Sequence, residues 1–210
     1  MKRPRRGFTL IELMVVIAIA GVLLLLAAPS FRDMIQMQRL RGASAQFVTD
    51  MQFARSQAVA QGRLMRVVLG QVSSGGGAPG LSCYTIFFTN VASDGYCDCT
   101  RGVGSACSNP LPGTRSEVRT VVLPHDDGVD LVLEPATQDA TFAFDPQSGG
   151  LLQIPLDSAA VPLARVTVDF RIDDARRLRT TIIQSGRPTV CAPDSQRMQL
   201  VSCPTPPPGP

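Results

Sequence analysis

Histidine is almost absent from this chain, since His125 is the only one in 210 residues. A lone imidazole excludes a histidine pair for a metal and leaves acid–base catalysis with a single candidate of that type. It stands in Pro124-His125-Asp126-Asp127-Gly128-Val129-Asp130, which reads better as a solvated turn between strands than as a metal or acid–base site. The acids of that turn could attract calcium weakly, but their spacing is not that of an EF-hand loop. There is no G-x-S-x-G elbow, no phosphate-cradling glycine loop and no internal repeat. We therefore expect no catalytic residue, no metal ligand set and no cofactor.

A net charge is also missing where it would matter. The formal charge is +3, yet Met1–Gly7 alone carry four cations and no acid. Without them 16 arginines face 17 Asp and Glu, and with Glu12 set aside the balance is 16 to 16. That excludes a uniformly basic binder of polyanions. The balance is uneven along the chain: residues 30–79 hold six Arg and two acids, 80–150 three Arg and nine acids, and 151–210 seven Arg and five acids. Any polyanion site must be local, formed by the first and last thirds.

What the chain does have is a sharp junction. Met1-Lys2-Arg3-Pro4-Arg5-Arg6-Gly7 runs into Phe8-Thr9-Leu10-Ile11-Glu12, and an apolar run of 21 residues from Phe8 to Ala28 carries only the charge of Glu12. At about 1.5 Å of rise per residue such a helix reaches about 30 Å, the thickness of a bilayer's hydrocarbon core. The four cations should stay cytoplasmic, which sends everything after Ala28 across the membrane. A cleaved secretory signal ending at Ala27-Ala28 is the alternative. Against it stand a core longer than the usual run of about 7 to 15 residues, Pro29 directly after the cut, and Glu12 inside the stretch.

From Ser30 to about Gly62 the apolar residues Phe31, Met34, Ile35, Leu40, Phe47, Val48, Met51, Ala54, Ala58 and Val59 recur at helical spacing. Arg32, Arg39, Arg41 and Asp50 fall mostly between them, and Gly62 reads as the stop. The period then changes to two. Leu64–Leu69, Cys83–Thr89, Val118–Leu123, Val129–Leu133, Thr141–Phe144, Arg165–Ile172 and Leu178–Gln184 have strand character. Gln71–Gly80 reads as a flexible loop, Asp145–Gly150 and Asp173–Arg177 as turns, and Pro204–Pro210 as a proline-rich tail. The expected fold is α+β: a long N-terminal helix, transmembrane and then amphipathic, packed on a mostly antiparallel β-sheet domain. The divisions are 1–7, 8–28, 29–62, 63–203 and 204–210.

The junction resembles the type IV prepilin motif. The resemblance implies cutting after Gly7 by a prepilin peptidase of the inner membrane, methylation of the new amino terminus at Phe8, and retention of the helix for packing in a filament. Glu12 would become the fifth residue of the mature chain, where the family keeps a glutamate that meets the terminal amine of a neighbouring subunit. A carboxylate in a membrane helix costs about 2.5 to 3.5 kcal/mol near the centre, so an incoming cation would relieve a substantial penalty. Pro29 sits where pilin helices often bend.

Phe53-Ala54-Arg55-Ser56-Gln57-Ala58-Val59-Ala60-Gln61-Gly62 with the strand after it is similar to the helix end of the minor-pilin family that includes FimT, FimU and the secretion pseudopilin GspH. This implies a minor pilin or pseudopilin of a type IV pilus or type II secretion pseudopilus. Its partners would be other minor subunits, the major subunit and the inner membrane, with the β-rich domain periplasmic. Ser185-Gly186-Arg187-Pro188-Thr189-Val190-Cys191 resembles the C-terminal segment of FimT-like members, some of which bind DNA through Gly-Arg-x-Arg. Here Thr189 replaces the second arginine, so a DNA patch would draw on Arg176, Arg177, Arg179 and Arg187. A solvated strand-and-turn surface is the simpler reading. A membrane-anchored periplasmic domain of unrelated function is a further alternative.

Cys83, Cys97, Cys99, Cys107, Cys191 and Cys203 all follow the apolar run, where an oxidising compartment favours disulfides. Six cysteines allow 15 pairings. The pilin resemblance suggests Cys191 with Cys203, pinning the tail, and leaves the other four to staple the middle of the chain. A zinc site there is the alternative, but Cys97-Asp98-Cys99 lacks the usual ligand spacing.

Overall fold

The computed structural model describes residues 9–72, 81–89, 97–107, 115–125, 128–134, 141–154, 160–193 and 201–204, with the side chains of 25–30, 72, 81 and 115 outside that description. Gly7 and Phe8 therefore lie outside the described residues, as do Asp126, Asp127 and 205–210. The chain forms two compact units, Met1–Gln38 and Arg39–Pro210.

One helix, α1 (Leu10–Gln61), contributes to both units, and Pro29 lies within it. In the first unit its apolar side chains are exposed all round, from Leu10 at 77% to Leu24 at 70%. Among the described residues no helix is long and apolar enough to cross a membrane. The described side chains of the apolar run stop at Leu24, short of its last four residues. Phe31, Met34 and Ile35, expected on the packed face, are exposed within this unit.

In the second unit the buried face of α1 is Leu40, Ser44, Phe47, Met51, Ala54 and Ala58, at alternating spacings of four and three. Among the described residues ten strands follow: β1 (Leu64–Val72), β2 (Leu81–Thr89), β3 (Arg115–Pro124), β4 (Asp130–Leu133), β5 (Thr141–Phe144), β6 (Leu151–Gln153), β7 (Val161–Pro162), β8 (Arg165–Arg171), β9 (Arg177–Ile183) and β10 (Pro188–Cys191). They make a six-stranded sheet, β3-β2-β1-β5-β6-β7, and a four-stranded sheet, β10-β9-β8-β4. Every strand pair is antiparallel. All seven expected strands are present, several a residue or more longer, and Gln71 and Val72 belong to β1 rather than to a loop.

Phe47 joins the layers, with its ring 5.1 Å from Tyr84 of the larger sheet and 5.4 Å from Phe170 of the smaller. Burying one such side chain contributes roughly 1.5–3 kcal/mol. The sheets are also tied by polar bonds: Leu131 N–H donates to Ser82 Oγ at 3.1 Å, and the Gln71 amide donates to the Leu131 carbonyl. Gly62 ends α1 with φ at 60°. Its N–H reaches the Val59 carbonyl, and the Arg63 N–H reaches that of Ala58. These are the paired bonds of a Schellman stop, which needs a left-handed residue at this position.

Asp50 departs from the sequence reading. It is 1% exposed on α1, accepts a 2.7 Å bond from the Tyr84 hydroxyl and pairs with Arg119 Nη1 at 3.0 Å. Burial, and then the Asp50 carboxylate, hold the Tyr84 phenol far above its ordinary range. The cysteines all pair, as Cys83–Cys99, Cys97–Cys107 and Cys191–Cys203.

Candidate functional site

The start of α1 is built by its own first turn. Thr9 precedes the helix, its hydroxyl accepts from the Glu12 N–H at 3.3 Å, and its carbonyl accepts from the Leu13 N–H at 3.2 Å. Thr9 thus caps the helix, and Glu12 holds the third position, where a carboxylate complements the positive end of the dipole. The Glu12 carboxylate is exposed and takes no partner among the described residues. It remains available to a cation from outside the chain.

The second region lies on the smaller sheet. Asp169 of β8 faces Arg179 of β9 in register, and Arg171 faces Arg177. The Arg179 guanidinium grips Asp169 with two bonds, Nε to Oδ1 at 2.8 Å and Nη2 to Oδ2 at 2.7 Å. Asp169 is 2% exposed, and Arg177 Nη1 stands 4.0 Å from it. The Asp169 hydrogen bond raises the Arg179 pKa above its usual value. Arg176 is held by Asp173 through Nε at 2.8 Å and Nη2 at 2.7 Å in the turn from β8 to β9. Of the four arginines expected to make a patch, three stand beside carboxylates, and only Arg187 has none among the described residues.

Arg187 lies beyond Gly186, whose φ of 76° is left-handed, in the turn into β10. Any side chain at Gly186 would run into the Gly149 carbonyl and Arg55, so only glycine lets this turn approach the helix end. Arg55 Nε donates to the Gly149 carbonyl at 3.1 Å, and the Leu151 N–H donates to the Gln184 carbonyl at 2.8 Å. Helix end, β5–β6 turn and β9–β10 turn thereby enclose a groove of about 730 Å³. Arg55, Ser56 and Val59 line one side, with Ser148, Arg187 and Pro188 on the other. The sequence reading missed Arg55. Its approach to Arg187 depends on Gly149 and Gly186, which nothing in the local sequence links.

His125 occupies the turn between β3 and β4, its Nε2 3.1 Å from Asp130 Oδ1. Among the described residues no group of three or more His, Cys, Asp or Glu could hold a metal ion.

A methylation motif ahead of a long helix whose far end carries an antiparallel β domain defines the pilin-like class of filament subunits. Residues 2–28 match the prokaryotic N-terminal methylation motif, and residues 43–197 match the family of the type II transport protein GspH. The second match covers well over half of the chain, and the chain belongs to the GspH family. Two crystal structures of the type IV minor pilin FimU from Pseudomonas aeruginosa strain PAO1 are similar to it. One has 18% identity and a TM-score of 0.37 over 74% of this chain and 94% of that one. The other has 19% identity and a TM-score of 0.39 over 75% and 91%. No curated protein matches the chain. The chain is a minor pilin or pseudopilin, a structural subunit. Motif and family together imply anchoring in the inner membrane with the β domain periplasmic.

Proposed function

We propose that this subunit is cut after Gly7 by a prepilin peptidase, methylated at Phe8 and held in the inner membrane by residues 8–28. It is then drawn into a type II pseudopilus or type IV pilus beside other minor subunits and the major subunit, and it acts by assembly rather than catalysis. The observation that carries this reading is α1 itself. Apolar side chains are exposed all round its first part, which suits burial in lipid or among other helices, and the Glu12 carboxylate in its first turn has no partner among the described residues. The terminal amine of a neighbour would neutralise that carboxylate and set the register of docking. Pro29 marks the passage from the membrane part to the exposed part.

Uptake of DNA is less well supported. Asp169 and Asp173 engage Arg176, Arg177 and Arg179, leaving Arg187 too isolated for a run of phosphate contacts. The assembly reading is tested by Gly7→Ala, expected to leave full-length precursor in the membrane and none in sheared filaments. Cleavage and assembly of that variant would overturn it.

A further inference from the structure

The groove between the helix end and the β9–β10 turn combines two guanidiniums with apolar walls. Arg55 donates through Nε to Gly149 while its Nη groups have no acceptor among the described residues, and the exposed guanidinium of Arg187 has no partner among them either. Among the described residues no carboxylate lines the groove. The hydroxyls of Ser56 and Ser148 add polar capacity, while Val59, Ala60 and Pro188 supply apolar surface. Two guanidinium forks beside such walls suit a carboxylate carried on a small apolar stretch of peptide.

We propose that this groove receives an acidic peptide segment of a neighbouring subunit, its carboxylate held between Arg55 and Arg187. The proposal rests on the subunit reading above. Charge complementarity favours a peptide over nucleic acid. Arg176 and Arg179 are already paired with Asp173 and Asp169, and Arg177 stands 4.0 Å from Asp169, so the groove offers its own two cations rather than a track for a phosphate backbone. This chain itself shows how a subunit can carry the matching charge, since its residues 80–150 hold nine acids against three arginines.

The test uses the full-length chain in detergent micelles, titrated at low salt with a fluorescein-labelled pentapeptide of alternating alanine and acidic residues. Its Asn/Gln counterpart and a short DNA duplex are titrated alongside. The acidic peptide should bind saturably and its counterpart should not. Arg187→Gln, an exposed position that folding tolerates, should weaken binding about tenfold, the loss of one charge-assisted hydrogen-bonding group, and Arg187→Lys should restore part of it. Equal binding of the two peptides, or no effect of Arg187→Gln, overturns the proposal. So does tighter, Arg187-dependent binding of the duplex, which would make this a nucleic-acid surface. The mass of the chain recovered from cells holding the peptidase separates the two readings. Absent peptide binding by a chain that is cut after Gly7 overturns the groove alone, whereas an uncut chain overturns the subunit reading.

Discussion

The Tyr84 hydroxyl donates to a carboxylate, Asp50, that is buried on the opposing helix, and this bond ties α1 to the larger sheet. Arg119 supplies the charge from a position 47% exposed, so water weakens its share of the attraction. Tyr84→Phe should lower the unfolding free energy by about 1.5–3 kcal/mol, the worth of a hydrogen bond to a charged group. Asp50→Ala should cost about 3 kcal/mol, because it strands the Tyr84 hydroxyl. Urea unfolding of the two single variants and the double one should show losses that fall short of additive.

Gly70 lies opposite Cys83 on β2, with the Cys83–Cys99 bridge packed over it. A methyl group at this position would meet Cys99 Sγ at 2.6 Å, closer than van der Waals contact permits. Gly70→Ala should therefore destabilise the domain by about 1–3 kcal/mol through overpacking. Thermal unfolding measures the loss, and thiol titration of the unreduced protein should still find no free cysteine.

Arg179 of β9 and Arg187 of the β9–β10 turn are both cations, but they should respond differently to substitution. Arg179→Gln strips the buried Asp169 of its two-bonded partner and should cost about 3 kcal/mol. Arg187→Gln removes no contact with an acid among the described residues and should stay within about 0.5 kcal/mol of the parent. Denaturant midpoints of the two variants, recorded side by side, check this ordering.

Acid should loosen the turns first. The Arg176 side chain, with help from backbone N–H groups, holds the Asp173 carboxyl below its usual range, and the Ser148 hydroxyl does the same for Asp145. A carboxyl depressed in the folded state stabilises fully above its unfolded value of about 3.9 and loses that contribution as pH falls through the folded one. Thermal midpoints should hold steady down to about pH 4 and drop below it. Asp173 is exposed and Asp145 half-buried, so solvent screening should keep the slope shallow, and Asp173→Asn should make it shallower still.

Much of the fold was legible because its signals are local. The apolar spacing from Leu40 to Ala58, the stop at Gly62 and the alternation in Arg165–Arg171 each lie within one stretch of chain. The strands that escaped notice, β6, β7 and β10, have two to four residues, too few to display a period, and two of them contain proline. Residue type misled at Asp50, whose burial on α1 is compensated by Tyr84 and Arg119 of the larger sheet. The junction at Gly7 was readable for the same reason as the helix, being contiguous. The Arg55–Arg187 groove was not, since it exists only when two turns close on the end of α1.

The Schellman stop at Gly62 also determines how the domain meets mechanical force. A subunit pulled through its helix passes tension across Gly62 and Arg63 directly into β1, which lies inside the larger sheet between β2 and β5. Nine paired positions with β2 and four with β5 hold that strand on both sides. An edge strand would be held on one side alone. By feeding the helix into an interior strand, the chain ties its long N-terminal helix to the middle of the larger sheet rather than to its edge.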